Sequence, residues 1–300
     1  MSFLVERERE YQSERDEKVS CAARSGLAAY YERETEKILK RYGPGPRVHY
    51  HVGLPDPPSS HDGPRNGLRG RLVAAQERML RYAAEAWHVR SIPFHDVLDV
   101  GCGLGGGAIF WAQEFGAHVT AITIALSHVE LVRRFAAAAG VESQIEPLLC
   151  DALLMPGESR FDAAVAIDSS SSFPRAAWFR RLAALLRPGG QVFIDDCFLV
   201  RREYEEPFNR HWCARIGTVE DYLDAANQAR FRLKVIDDVS LRVVPFWTTS
   251  LAFIMAETCE KNLMPGEHAK LKESLEVHAL VRRGLLEGGL RHALMSFVKD

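Results

Sequence analysis

The chain has 300 residues and is 47% hydrophobic, enough for one large α/β domain, or one domain with a cap, around a sizeable core. Lys and Arg number 38 against 40 Asp and Glu, and this formal charge of −2 excludes a global pull toward nucleic acid or anionic membranes. The six scattered cysteines (Cys21, Cys102, Cys150, Cys197, Cys213, Cys259) form no C-x-x-C pair, which speaks for reduced thiols in a cytoplasmic setting and against a disulfide framework or a zinc site.

Residues 1–42 read as a charged helix with apolar positions at Leu27, Tyr30, Tyr31, Ile38 and Leu39, stopped by Gly43, Pro44, Gly45 and Pro46. This start lacks the apolar core of a signal peptide, and no run of about 18 apolar residues follows that could span a membrane. Residues 48–54 read as a short strand or an extended loop. A Pro/Ser/Gly-rich stretch at 55–70 reads as a loop or lid carrying His61, Arg65 and Arg69, with Arg71 just beyond. A helix is predicted over 72–89. Strands and helices then alternate: strand 96–100, helix 108–116, strand 118–124, helix 127–140, a strand within 145–152, strand 161–168, helix 178–190 and strand 191–199. A helix at 219–229, a strand at 231–240 and a strand at 244–253 complete the pattern. The tail, 261–300, reads as mostly helical. Such alternation predicts an α/β fold with a doubly wound, mostly parallel seven-stranded sheet and an N-terminal helical cover. The expected division is a cover at 1–71, a catalytic domain at 72–260 and a C-terminal helical extension at 261–300.

The most informative stretch is VLDVGCGLGGG, residues 97–107. A short apolar run ends in glycines that let the backbone turn tightly and approach a ligand. The helix after it offers unpaired N–H groups to a negative group. This strand resembles, nearly letter for letter, motif I of the class I S-adenosylmethionine-dependent methyltransferases (hydrophobic-L-D-hydrophobic-G-C-G-x-G). LRPGG at 186–190, ahead of strand five, is a second habit of that family, and the resemblance covers about residues 72–256. It implies S-adenosyl-L-methionine as cofactor and a last strand antiparallel to its neighbours.

The resemblance also implies roles. Asp99 orients the loop, Gly101, Gly103 and Gly105 approach the methionine and ribose, and Ile124 packs on the adenine. Asp151 accepts from the adenine amino group or, alternatively, caps its loop. Thr123 departs from the usual acid at the end of strand two and resembles the hydroxyl-bearing variant of the tocopherol, sterol and cyclopropane-forming branch. Gln76 stands where that branch places a glutamine on the cofactor carboxylate; a solvated helix face is the other reading. Asp168, after strand four, matches the carboxylate of terpenoid and sterol C-methyltransferases that steadies a cation or takes a proton. It is also a good helix cap, in competition with Ser169 to Ser172.

The segment from Glu36 to Gly53 resembles the front of C-methyltransferases acting on prenyl chains. Tyr30, Tyr31, Tyr42 and Tyr50 offer aromatic faces to a cation. Alternation puts His49 and His51 opposite Tyr50 if the segment is extended. No third ligand accompanies the two histidines, so no metal is assigned; Mg2+ enters only with a diphosphate acceptor, for which Arg47, Arg65, Arg69 and Arg71 are suited. Tyr204, Phe208, His211, Trp212 and Trp247, with Phe246, are the expected acceptor wall. The expected function is C-methylation of an isoprenoid alkene through a carbocation, on a prenyl diphosphate or a prenylated compound. The alternative is O- or N-methylation of a small natural product with His49, His51 or His211 as base. A small-molecule acceptor is the expected partner, with no nucleic acid or membrane, and with room for a homo-oligomer. A nicotinamide oxidoreductase is disfavoured because no acid ends strand two, and nucleic-acid methylation because no N-P-P-Y motif follows strand four.

Overall fold

The computed structural model describes residues 26–55, 65–259 and 265–300. The rest of the predicted 1–42 helix, residues 1–25, lies outside these, as do residues 56–64 with His61 and the side chain of Arg65. The described elements are α1 (26–42), α2 (Arg65–Ala86), β1 (Asp96–Val100), α3 (Gly106–Phe115), β2 (His118–Thr123), α4 (Leu126–Ala138), β3 (Ile145–Leu149), β4 (Phe161–Ile167), α5 (Arg175–Leu185), β5 (Leu186–Leu199), α6 (Glu205–Trp212), α7 (Val219–Gln228), β6 (Phe231–Asp238), α8 (Ser240–Thr258), α9 (Pro265–Leu286) and β7 (Leu290–Lys299).

The seven strands form one sheet in the order β3-β2-β1-β4-β5-β7-β6. The first five pair in parallel, and β7 runs antiparallel to both β5 and β6. The central strands are apolar almost throughout because helices cover both faces. Side chains of α1 to α4, α8 and α9 pack with Val97 and Val119 on one face; Trp178, Phe179 and Tyr222 of α5 and α7 pack with Leu98 and Val192 on the other. Strand order reverses between β1 and β4, and open α/β sheets bind ligands beyond the carboxyl ends of strands at such a point.

Three predicted elements differ. Residues 244–253 are not a strand but the middle of α8. Val243, Phe246, Trp247, Ser250, Phe253, Ile254 and Glu257 are buried at steps of three and four, a helical period hidden beneath β-prone Val, Phe, Trp and Thr. The tail is mostly helical through α9 but does not end so: a turn at Gly288 and Gly289 leads into a strand, β7. The helix formers in LRHALMSFVK are overridden because the strand is inserted between two others and buried on both faces. It is β7, not residues 244–253, that supplies the antiparallel strand. Finally, α5 stops at Leu185, and residues 186–190 belong to β5, where the pairing with β4 slips between Phe161 and Ala163. Residues 48–54 form no strand and bend at His51, and α2 starts at Arg65. No helix among the described residues is long and apolar enough to cross a membrane.

Candidate active site

Two cavities meet at the switch point. The first, of about 970 Å³ counting its open mouth, lies over the glycine loop between β1 and α3; the second, of about 770 Å³, lies toward α6 and α8. Tyr31, Tyr50, His51, Asp168 and Ser172 line both and mark the junction.

The loop after β1 holds left-handed glycines, with φ of 73° at Gly101, 53° at Gly103 and 81° at Gly105. The N–H groups of Gly101 and Cys102 both donate to Ile122 O at 3.0 Å, which ties the loop to β2. Gly103 faces open space: a Cβ built there meets nothing within 4 Å. Gly105, expected at the ligand, is turned away, and a Cβ there would lie 2.9 Å from Val132. Its neighbours Gly106 and Gly107 line the first cavity instead. Asp99 also lines it; its Oδ2 is buried without a partner, and burial pushes the carboxyl up to about 7. Thr123 and Ile124 line the same cavity, with Thr123 Oγ1 accepting from Ala125 N–H at 3.2 Å. Asp151 does not line it, although Cys150 and Ala152 on either side do; its Oδ1 accepts from Leu153 N–H at 2.9 Å, as a loop cap does.

The segment at 48–54 presents the histidines. Gln76, expected at the cofactor, is buried and lines neither cavity; its Nε2 donates to His51 O at 2.8 Å and so holds this segment's backbone. His49 Nε2 lies 2.8 Å from Glu77 Oε1. Burial works to raise the Glu77 carboxyl, but the His49 hydrogen bond and the charges of His49, Arg47 and Arg81 hold it at about 2. The ionised Glu77 accepts from His49 Nε2–H, and His49 Nδ1 is left buried without a partner, in a residue that lines the first cavity. His51 Nδ1 donates to Val52 O at 2.8 Å, which leaves its buried Nε2 as a second unpaired acceptor, at the junction. Burial lowers the His51 pKa to about 3, so this imidazole is neutral.

The Val52 peptide links this histidine to the acid, since its N–H donates to Asp168 Oδ2 at 2.6 Å. Asp168 sits in the left-handed region at φ 45°, and its own N–H donates to Asp195 O at 2.7 Å. Burial raises its pKa, opposed by the nearby His292 cation and reinforced by Asp195 and Asp196. His292 donates to Asp195 Oδ1 at 2.7 Å; burial disfavours its charge, but the Asp195 carboxylate outweighs that and raises its pKa.

The expected acceptor wall is brought together in part. Phe208, Trp212 and Trp247 line the second cavity with Tyr31, Tyr42 and Phe246. His211 stands behind them, its ring 4.6 Å from that of Trp212. Tyr204 lines neither cavity; its ring lies against Gly284 and Gly289, and its hydroxyl donates to Glu287 Oε2 at 3.3 Å. Of the expected arginines, the described Arg47, Arg69 and Arg71 do not line the site either. Arg47 donates to Gln113 at 2.8 Å, Glu77 at 3.1 Å and Glu114 at 3.0 Å, and Arg69 donates to Gly43 O. Sequence reasoning missed Glu77, Asp195, Asp196, His278, His292 and His128. The last of these lines the first cavity, with Nε2 3.0 Å from Thr35 Oγ1 and its buried Nδ1 unpaired. Among the described residues no group of three His, Cys, Asp or Glu side chains is set to hold a metal.

Residues 97–190 match the family described as Methyltransferase domain. A chloroplastic tocopherol O-methyltransferase of Arabidopsis thaliana is 23% identical over 90% of this chain and 81% of its own length. A geranyl diphosphate 2-C-methyltransferase of Streptomyces lasalocidi is 26% identical over 74% and 78%. The fold matches the crystal structure of geranyl diphosphate C-methyltransferase from Streptomyces coelicolor A3(2), in complex with Mg2+, geranyl-S-thiolodiphosphate and S-adenosyl-L-homocysteine. The TM-score is 0.78 at 15% identity, over 93% of this chain and 98% of that one. The chain is an S-adenosylmethionine-dependent methyltransferase. Within that class it resembles the geranyl diphosphate C-methyltransferase and tocopherol O-methyltransferase branch.

The first cavity fits the cofactor of this class. The unpartnered Asp99 Oδ2 and the unpartnered Nδ1 atoms of His49 and His128 suit the polar groups of an amino-acid nucleoside, and the open face of Gly103 admits it.

Proposed function

We propose that this methyltransferase places the methyl on a carbon of an isoprenoid acceptor held in the second cavity, with the cofactor in the first. Asp99, Gly101, Gly103, Gly106, Gly107, Thr123, Ile124, His49 and His128 are the cofactor contacts in this reading. The cofactor supplies an electrophilic methyl on a sulfonium. The observation that carries the reading is the junction, where a carboxyl with raised pKa, Asp168, lines both cavities together with Tyr31 and Tyr50. Carbon–carbon bond formation at an alkene leaves a cation on the neighbouring carbon. Tyrosine faces stabilise charge that develops only on reaction. In its ionised form Asp168 then takes a proton from an adjacent carbon, which restores an alkene, and its raised pKa brings it toward the range of an effective general base. The geranyl diphosphate 2-C-methyltransferase relative supports carbon as the site.

His51 favours a second reading. Its unpaired Nε2 at the same junction suits a hydroxyl or amine hydrogen, as O- or N-methylation needs, and the tocopherol O-methyltransferase relative supports that reading. The test is incubation with methyl-labelled S-adenosylmethionine and a panel of prenyl compounds, followed by product NMR. A new methyl on carbon is the expected result; a methoxy or N-methyl product would establish the second reading instead.

A further inference from the structure

The second cavity has a definite charge character. Its acidic side chains are Asp168 and Asp196. Asp196 accepts from Ser170 Oγ at 2.6 Å, Ser171 N–H at 3.0 Å and Cys197 N–H at 2.8 Å, bonds that favour its charge, though burial outweighs them and raises its pKa. Its two histidines supply no positive charge, because burial lowers both His51 and His278 to about 3. Arg41, next in chain to the wall residue Tyr42, gives two hydrogen bonds to Glu257 at 2.7 and 3.0 Å, which match its charge. Among the described residues, a diphosphate here would face carboxyls, aromatic rings and neutral imidazoles.

Two buried atoms of the wall ask for something else. His51 Nε2 is an unpaired acceptor at the junction, and Trp247 Nε1–H is an unpaired donor. An acceptor oxygen for the indole and a hydroxyl hydrogen for the imidazole would satisfy both, and a buried polar group left unmade is costly. We infer that the acceptor is an uncharged, hydroxylated prenyl compound, such as a prenylated phenol or a prenyl alcohol, and not a prenyl diphosphate. The inference rests on the isoprenoid reading above.

The test compares matched ligands on the full chain saturated with S-adenosylhomocysteine. Geraniol, farnesol and 2-geranylphenol are titrated against geranyl and farnesyl diphosphate, with and without Mg2+, by tryptophan fluorescence and calorimetry. The hydroxylated ligands are expected to bind about tenfold or more tighter than the matched diphosphates, without response to Mg2+. Trp247→Phe should weaken them about tenfold and leave S-adenosylhomocysteine binding unchanged. Tighter binding of a diphosphate, or its appearance on adding Mg2+, would overturn the inference and leave the isoprenoid reading standing. If none of the five binds a chain that still binds S-adenosylhomocysteine, the isoprenoid reading itself falls, and this inference with it.

Discussion

Asp168 is the residue on which the chemistry turns. Asn at this position keeps an oxygen to accept from Val52 N–H and tolerates the left-handed backbone at φ 45° as well as Asp does. Asp168→Asn therefore removes charge and basicity while leaving the loop in place. Turnover should fall on the order of 10²-fold with S-adenosylhomocysteine affinity little changed. Near-normal turnover would return the chemistry to His51. Asp99 gives a second, thermodynamic signature. Its folded carboxyl titrates near 7 against 3.8 for the free group, so the native chain holds a proton that the unfolded chain has released. Stability of the ligand-free protein should then fall as pH rises from about 4 to 7, by roughly 4 kcal/mol from this group alone. Asp99→Asn lacks that slope, and melting curves across the window compare the two; parallel curves would show that Asp99 does not titrate this way. Asp99 and Asp168 were legible because each belongs to a strand end in register with a motif. Glu77 and Asp195 were not, since their roles depend on His49 and His292, far away in sequence.

At the scale of elements, alternation gave the parallel half correctly because strands and crossover helices there have different periods. The C-terminal half misled for a physical reason. In α8, bulky β-prone residues fill a helical stripe, and in β7, good helix formers fill a strand buried on both faces. With β7 unseen, His292 had no place, and the pair it makes beneath Asp168 was out of reach. The strand has a consequence for truncation. A dispensable extension could be removed with little effect, whereas β7 pairs along β5 from Gln191 to Leu199 and along β6 from Phe231 to Asp238. Deleting residues 288–300 should abolish cooperative unfolding and cofactor binding together, as read by circular dichroism and calorimetry. A truncated chain that melts cooperatively and binds S-adenosylhomocysteine would contradict the sheet order.

For the whole molecule, the sheet places a nucleotide-type cavity at the β1–β4 switch point, and α1, α6 and α8 build an aromatic chamber beside it. The glycine loop announced the first cavity from sequence alone. The second was harder to read, because its wall is drawn from many separate stretches of chain, and Tyr204, Arg47 and Arg69 pack elsewhere. The account stands or falls on occupancy of the first cavity. Calorimetric titration of S-adenosylhomocysteine into the wild-type chain and Gly103→Val tests it most directly, with melting temperature confirming that the variant is folded. A Cβ at Gly103 meets no protein atom, so the added side chain displaces no core residue; it fills the loop's open face and strains its left-handed backbone at φ 53°. The account predicts affinity on the order of micromolar for the wild type and a loss on the order of 10²-fold in the folded variant. Equal affinity in the two proteins would contradict it.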